Sequence, residues 1–258
     1  MKKKIIILSV VIGAIAVFLF LYWIVFPRWM MYKATDYLSA IDNEPAKYYE
    51  HYSVQPNFEY ITVDNGLFSA IIPSDFIARD RKEEYLPLIY RSSDEKQYEY
   101  VMFTNIVGEP MDLTDPEQYE DMDDVTADMG LKQLTRGFEK IGHGLPNSSY
   151  NTYKATALLM RDDYSFWDLE KAVAFSILGI FKEIAYYDVD TLYIYETDDM
   201  CGIIQINRFI DEETDFNGYK VIFEMYNADD LNTSYTLMLG MQSLDDIYAV
   251  INSVKIMK

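Results

Sequence analysis

FEYITVDNGLFSAIIP, residues Phe58 to Pro73, holds two β-rich runs, Phe58–Val63 and Leu67–Ile72, on either side of Asp64-Asn65-Gly66. Asn-Gly supplies the positive φ angles that a tight antiparallel hairpin needs. Pro73 stops the second strand, because proline has no N–H to give to a ladder. A hairpin here points to a sheet built by antiparallel neighbours.

The same grammar recurs outward from this stretch. Pro87–Arg91 and Gln97–Thr104 form a second strand pair, joined through the polar Ser92–Lys96. Four more strands are expected at Thr191–Glu196, Gly202–Phe209, Tyr219–Tyr226 and Tyr235–Met241. Helices fall between these groups. One leads from Met30 to about Tyr52. A second opens at Asp115-Pro116, an N-cap followed by proline, with Thr114 and Glu117 as an overlapping capping box. Its apolar face is Met122, Val125, Met129, Leu134, Phe138 and Ile141, and Gly130 and Gly137 predict a break. A third opens at Ser165, and Phe166, Leu169, Val173, Ile177, Ile180 and Ile184 mark its core face at spacings of three and four. The last runs from the N-cap Ser243 to about Val254. The expected class is α+β, a mainly antiparallel β-sheet flanked by helices and preceded by one N-terminal transmembrane helix.

That leading helix is Ile5 to Phe26, which carries no charge. At about 1.5 Å per residue it is long enough to cross a hydrocarbon core of about 30 Å. A secretory signal has a shorter apolar stretch and a small-residue cleavage site after it. Here Ala14-Ile15-Ala16 lies in mid-stretch, so a retained anchor is expected. Lys2, Lys3 and Lys4 precede it, which holds the N-terminus in the cytoplasm and sends the rest across the membrane. The domain plan is therefore a basic tail at 1–4, a membrane span at 5–26, a membrane-proximal helix or connector at 27–56 and an extracytoplasmic α+β domain at 57–258.

The chain has 22 basic and 42 acidic residues. Setting aside Lys2, Lys3, Lys4 and Arg28 leaves 18 against 42, or −24 beyond the anchor. Such a surface repels nucleic-acid phosphates and anionic lipid heads, and tolerates basic partners and divalent metal. The bland reading is a coat that aids solubility. The lone Cys201 makes no intrachain disulfide, a usage that fits a bacterial cell surface.

The sharpest chemical pattern is ETDFNGYKVIFE. Glu213, Asp215, Asn217, Gly218 and Glu224 fall at the oxygen-ligand and glycine positions of a calcium loop, with Glu in place of Asp at the first. Strand-like runs rather than helices flank it. A hairpin turn at Asn217-Gly218 is therefore the expected reading, with Glu213, Asp215, Asn217 and Glu224 as calcium candidates. The acidic stretch Asp112–Asp128 suits a helix start. Carboxylate pairs at Asp162-Asp163, Asp198-Asp199 and Asp229-Asp230 have no visible separation in space. Cys201 with His143 is a candidate nucleophile pair, against a small buried cysteine. Tyr186-Tyr187 and Tyr193–Tyr195 are candidates to line a groove. No phosphate loop, dinucleotide fingerprint, serine-hydrolase elbow or zinc motif is present, so no cofactor is expected.

Two segments carry a resemblance. NGLFSAIIPSDF (Asn65–Phe76) resembles the entry hairpin of PsbP/DcrB-like domains. YTLMLGMQSLDDIYAVINSVKI (Tyr235–Ile256) is similar to their closing strand–helix–Ser–apolar pattern, with Ser253-Val254 in place of the family's common Ser-Phe. The resemblance covers about a third of the chain. It implies an antiparallel sheet sandwiched by helices in an exported, noncatalytic accessory or binding domain, and it supplies no catalytic residues. The expected function is a single-pass membrane protein whose noncatalytic domain binds a protein or cell-envelope component. The alternative is a cell-envelope hydrolase with a carboxylate or Cys–His site.

Overall fold

The computed structural model describes residues 19, 24–51, 54–79, 87–93, 98–104, 111–115, 124–212 and 216–257, with the backbone alone over 124–129. The strands are β1 (Lys47–Tyr48), β2 (Tyr60–Asp64), β3 (Phe68–Pro73), β4 (Phe76–Ala78), β5 (Leu88–Ser92), β6 (Tyr100–Thr104), β7 (Thr191–Glu196), β8 (Met200–Asp211), β9 (Phe216–Asn227), β10 (Asp230–Met241) and β11 (Lys255–Ile256). The α-helices are α1 (Phe26–Ala34), α2 (Asp124–Ile141), α3 (Ser149–Leu158), α4 (Leu169–Tyr186) and α5 (Leu244–Ser253). An eight-stranded sheet has the order β1-β7-β8-β9-β10-β6-β5-β4, and a three-stranded sheet has the order β11-β3-β2. All pairs are antiparallel except β1 with β7. The α+β class with a mainly antiparallel sheet and flanking helices therefore holds.

The opening hairpin forms as the sequence requires. Gly66 takes φ +87°, and Asn65 Oδ1 accepts from the N–H groups of Leu67 and Phe68. It belongs to the smaller sheet, however. Phe68, Ala70 and Ile72 of β3 face the large sheet and share a core with Phe103, Ile204, Phe223, Leu237 and Leu239, joined by Ile247 and Val250 of α5. Ser253 fastens the two. Its hydroxyl donates to Val250 O at 2.6 Å and accepts from Ile71 N at 2.9 Å, after which β11 pairs with β3.

The other face of the large sheet packs on α3 and α4, with Ile194, Cys201, Ile203 and Tyr226 against Tyr150, Ala157 and Tyr186. Periodicity does not reveal α3, whose buried residues are mostly Ser, Thr and Ala. Its mark in the sequence is Ser148, which accepts from Asn151 N as the N-cap. The break expected in α2 is absent over Asp124–Ile141. A Cβ at Gly137 would stand 2.8 Å from the Ala174 methyl and closer still to the Glu170 carbonyl, so this glycine lets α2 and α4 touch. The helix start expected at Asp115-Pro116 lies, beyond Asp115 itself, outside the described residues.

The core face of α4 is the reverse of the expected one. Ala172, Ala174, Phe175, Leu178, Gly179, Lys182 and Tyr186 are buried, whereas Leu169, Val173, Ile180 and Ile184 are exposed. The helix is apolar nearly all round, so spacing does not choose between its faces. Close packing chooses. A Cβ at Gly179 would meet Leu38 at 2.9 Å, and only the small-residue side fits against α2 and the 35–42 turns.

The connector assigned to 27–56 is also redrawn. Helix stops at Ala34, and two short 3₁₀ turns at Thr35–Tyr37 and Ser39–Asp42 follow. Glu183 of α4 accepts from Ala40 N at 2.8 Å and from Ser39 Oγ at 3.0 Å, and Arg161 grips both oxygens of Asp42. Ala40, Ile41, Ala46 and Tyr49 are buried, and β1 joins the large sheet. Residues from Thr35 onward thus pack with the large sheet and α4. Among the described residues no helix is long and apolar enough to cross a membrane; residues 5–18 and 20–23 of the expected span lie outside them.

Lys182 is fully buried, and its Nζ donates to Leu159 O at 2.5 Å, at the C-cap of α3. Burial pushes this lysine down to about 8, with Asp163 pulling the other way. A lysine that binds its proton less tightly in the folded chain weakens the fold below that value. Stability should rise as pH goes from about 8 towards 10, by a total on the order of 3 kcal/mol. Lys182→Met should melt at or above the wild-type temperature at pH 7 and lose this rise, as followed by denaturant titration across that pH range.

Candidate functional site

Two of the surface clefts lined by described residues combine apolar and polar side chains. The first is a recess of about 300 Å³ where the β3–β4 corner, the start of β6 and the N-terminus of α5 meet. Phe58, Pro73 and Phe76 form apolar walls, and Asp75, Glu99 and Asp246 come from three separate elements. One Asp246 oxygen accepts from Asn57 N at 2.9 Å. Aromatic walls with carboxylates at the mouth suit a cationic side chain, whose stem packs on the rings while its charge meets the acids.

The second cleft, about 410 Å³, lies where the β7–β8 and β9–β10 turns approach β11. Tyr195, Met200, Val254 and Ile256 give it apolar surface, and Thr197, Asp199, Asn227 and Lys255 give it polar surface. Thr197 is committed to its own turn, donating to Met200 O and accepting from Met200 N. Behind Tyr195 lies an aromatic cluster. Tyr49 has ring neighbours in Tyr193, Tyr195 and Tyr248, and His51 meets Tyr195 edge-on at 4.7 Å. Of the predicted tyrosine clusters, Tyr193–Tyr195 thus reaches a cleft through Tyr195, whereas Tyr186 is buried among helices and Tyr187 is exposed.

The strongest shifts in acidity lie elsewhere, between α3, α4 and the sheet. Burial pushes Glu224 up, opposed by hydrogen bonds from Tyr226 and Ser234. Tyr226 Oη donates to Glu224 Oε1 at 2.6 Å, and burial next to that carboxylate drives the phenol far up. Tyr150 is also raised by burial and donates to Glu196 at 2.9 Å, which Lys154 meets at 2.6 Å. Burial pushes the adjacent Cys201 thiol up to about 12. Of these groups none lines either cleft.

The predicted site residues separate. Asn217 and Glu224 lie on β9, opposite Ile210 and Ile203 of β8, about 23 Å apart along the strand. They do not converge on one ion; Glu213 and Asp215 lie outside the described residues. The turn expected at Asn217-Gly218 does not form there: Asn217 and Gly218 pair with Ile210 and Phe209 inside the β8–β9 ladder, which runs out to Asp211 and Phe216. Gly218 serves a different need, because a Cβ there would meet Met241 O at 2.5 Å. Cys201 faces Tyr150, Glu196 and Lys154, whereas His143 Nε2 lies 2.8 Å from Asp163 Oδ2. The two do not form a pair. Burial pushes Asp163 up, but hydrogen bonds from His143 and from Met160 N more than offset it. The pairs Asp198-Asp199 and Asp229-Asp230 occupy adjacent turns, where Ala228 N donates to Asp199 O. Asp112, in the predicted acidic stretch, accepts from Thr114 within a turn. Among the described residues, no three His, Cys, Asp or Glu side chains gather as a metal site.

Sequence reasoning missed Asp75 and Glu99 as site residues. They carry no local motif, and only the strand order brings them to Asp246. No protein-family model, curated protein or solved structure matches the chain.

Glu224 holds its proton more tightly folded than unfolded. Its contribution is therefore present below the ordinary carboxylate range and is lost as pH rises through its own raised value. Glu224→Gln, which can still accept from Tyr226, should raise the melting temperature at pH 7 and flatten that decline. Tyr226→Phe should instead lower stability by about 1–3 kcal/mol, measured by urea titration, because the half-buried carboxylate loses one of its two donors.

Proposed function

We propose that the chain is a single-pass membrane-anchored protein whose noncatalytic extracytoplasmic domain binds a basic segment of a protein or cell-envelope component. The carrying observation is the recess that collects Asp75, Glu99 and Asp246 around Phe58, Pro73 and Phe76. Its charge matches the excess of −24 beyond Arg28 and selects for cations. The anchor rests on the uncharged run Ile5–Phe26 behind three lysines. α1 follows it with Phe26, Trp29 and Met30 exposed, as suits a helix leaving the bilayer through its interface. The PsbP/DcrB-like reading belongs to the same proposal, and draws support from the contact of its two segments through Ser253 and β11. The Cys–His form of the hydrolase reading draws no support, because Cys201 and His143 keep different company.

Two measurements test the proposal. Protease treatment of whole cells should digest the domain while the membrane fraction retains the N-terminal fragment; a domain protected under conditions that digest known outward-facing proteins would refute the placement. Titration of the full chain in nanodiscs with an oligolysine peptide should show salt-sensitive binding. Asp75→Asn/Glu99→Gln should weaken it by about tenfold or more, roughly 1.4 kcal/mol. Asp162→Asn/Asp198→Asn, which removes two exposed carboxylates elsewhere, should change it little. Equal losses in the two variants would reduce the recess to general surface charge.

A further inference from the structure

The exposed side of α4 is a continuous apolar stripe. Leu169, Val173, Ile180, Ile184 and Tyr187, which caps the helix, are 48%, 38%, 52%, 77% and 62% exposed, and Ile177 lies half-buried among them. Scaled to ordinary side-chain areas this is roughly 600 Å², and Trp167 at the helix entrance carries it towards 800 Å². A monomer's largest apolar patch is typically about 300–600 Å², whereas a stable interface buries about 800 Å² on each partner.

We propose that α4 packs against α4 of a second copy of this chain, antiparallel about a two-fold axis near residues 178 and 179. The stripe reads nearly the same from either end, as an isologous contact demands. Val173 then faces Ile184 of the other copy, Ile177 faces Ile180, and Leu169 faces Tyr187. Antiparallel packing also sets each helix dipole against its opposite. Two of the charges bordering the stripe are already engaged within the chain. Glu170 meets Lys140 at 2.6 Å, and Glu183 holds Ala40 N and Ser39 Oγ. Glu170 and Glu183 thus bring no bare charge to the seam, and the exposed Asp188 stands only at its end. A lipid surface fits less well, because an interfacial helix borders its apolar face with Lys and Arg, and these borders are acidic.

The test is crosslinking in native membranes. Ile180→Cys brings two thiols within about 5 Å along the helix axis across the two-fold, in reach of a short bismaleimide. Ile210→Cys, on β8 and 58% exposed, is the control, and the buried Cys201 of the unaltered chain sets the background. A species of twice the chain mass, at least tenfold above both controls, is expected. It should vanish when Val173→Glu is added, with the melting temperature of that variant confirming that it folds. Crosslinking no stronger than at Ile210→Cys, or unaffected by Val173→Glu, overturns the proposal. So does an adduct of any other mass, which assigns the face to a different protein. Quenching of a fluorophore on Ile180→Cys by doxyl lipids, without the dimer species, assigns it to the bilayer and equally overturns the proposal.

Discussion

The ladders joining the twelve-residue strands β8, β9 and β10 are the constraint on which the molecule depends. Their register decides which side chains go to which side. Ile204, Val221, Phe223, Leu237 and Leu239 meet the small sheet and α5, whereas Cys201, Ile203, Glu224 and Tyr226 turn towards α3 and α4. A slip of one residue would exchange the two sets, driving the first core into the helices and Glu224 into the Phe68–Phe103 stack. Both layers outside the large sheet are thus placed by pairing in its middle.

What could be read from the sequence follows from how local the signal is. The Asn65-Gly66 hairpin, the Ser243 cap of α5 and the strands of the last third depend on near neighbours, and all appear, the strands somewhat longer than expected. The α4 face, the role of Gly137 and the pairing of Asn217-Gly218 inside β9 depend on partners outside their own segment. In α4 both sides are apolar, and a small-residue side wins by allowing closer approach, although it takes Lys182 inside. At Asn217-Gly218 the same dipeptide that turns a hairpin elsewhere lies within a strand, because Gly218 answers a backbone approach and not a φ requirement. The acidic recess was illegible for a related reason, since its carboxylates are brought together by topology alone.

Reactive-looking groups and accessible groups are separated in this molecule. Glu224, Tyr226, Tyr150, Cys201 and Lys182 owe their altered acidity to enclosure, each with a partner that satisfies or screens it. Such groups commonly mark catalytic sites, but enclosure in a packed polar network produces the same shifts. The open clefts instead combine aromatic walls with carboxylates or turn residues. The acidity legible in composition becomes specific only where three elements fold it into a concavity.

The bond between Ile71 and Ser253 spans 182 positions of sequence. The early hairpin can form by itself as soon as it is made, but its sheet needs β11 for completion, and its apolar side needs α5. During synthesis it must therefore persist as a two-stranded piece with Phe68 and Ile72 bare while most of the domain is still emerging. Such long-range closure makes folding slow and leaves nascent chains open to wrong partners. The domain can be sealed only when its last helix and strand arrive, so the order of synthesis itself sets when the molecule becomes safe from aggregation.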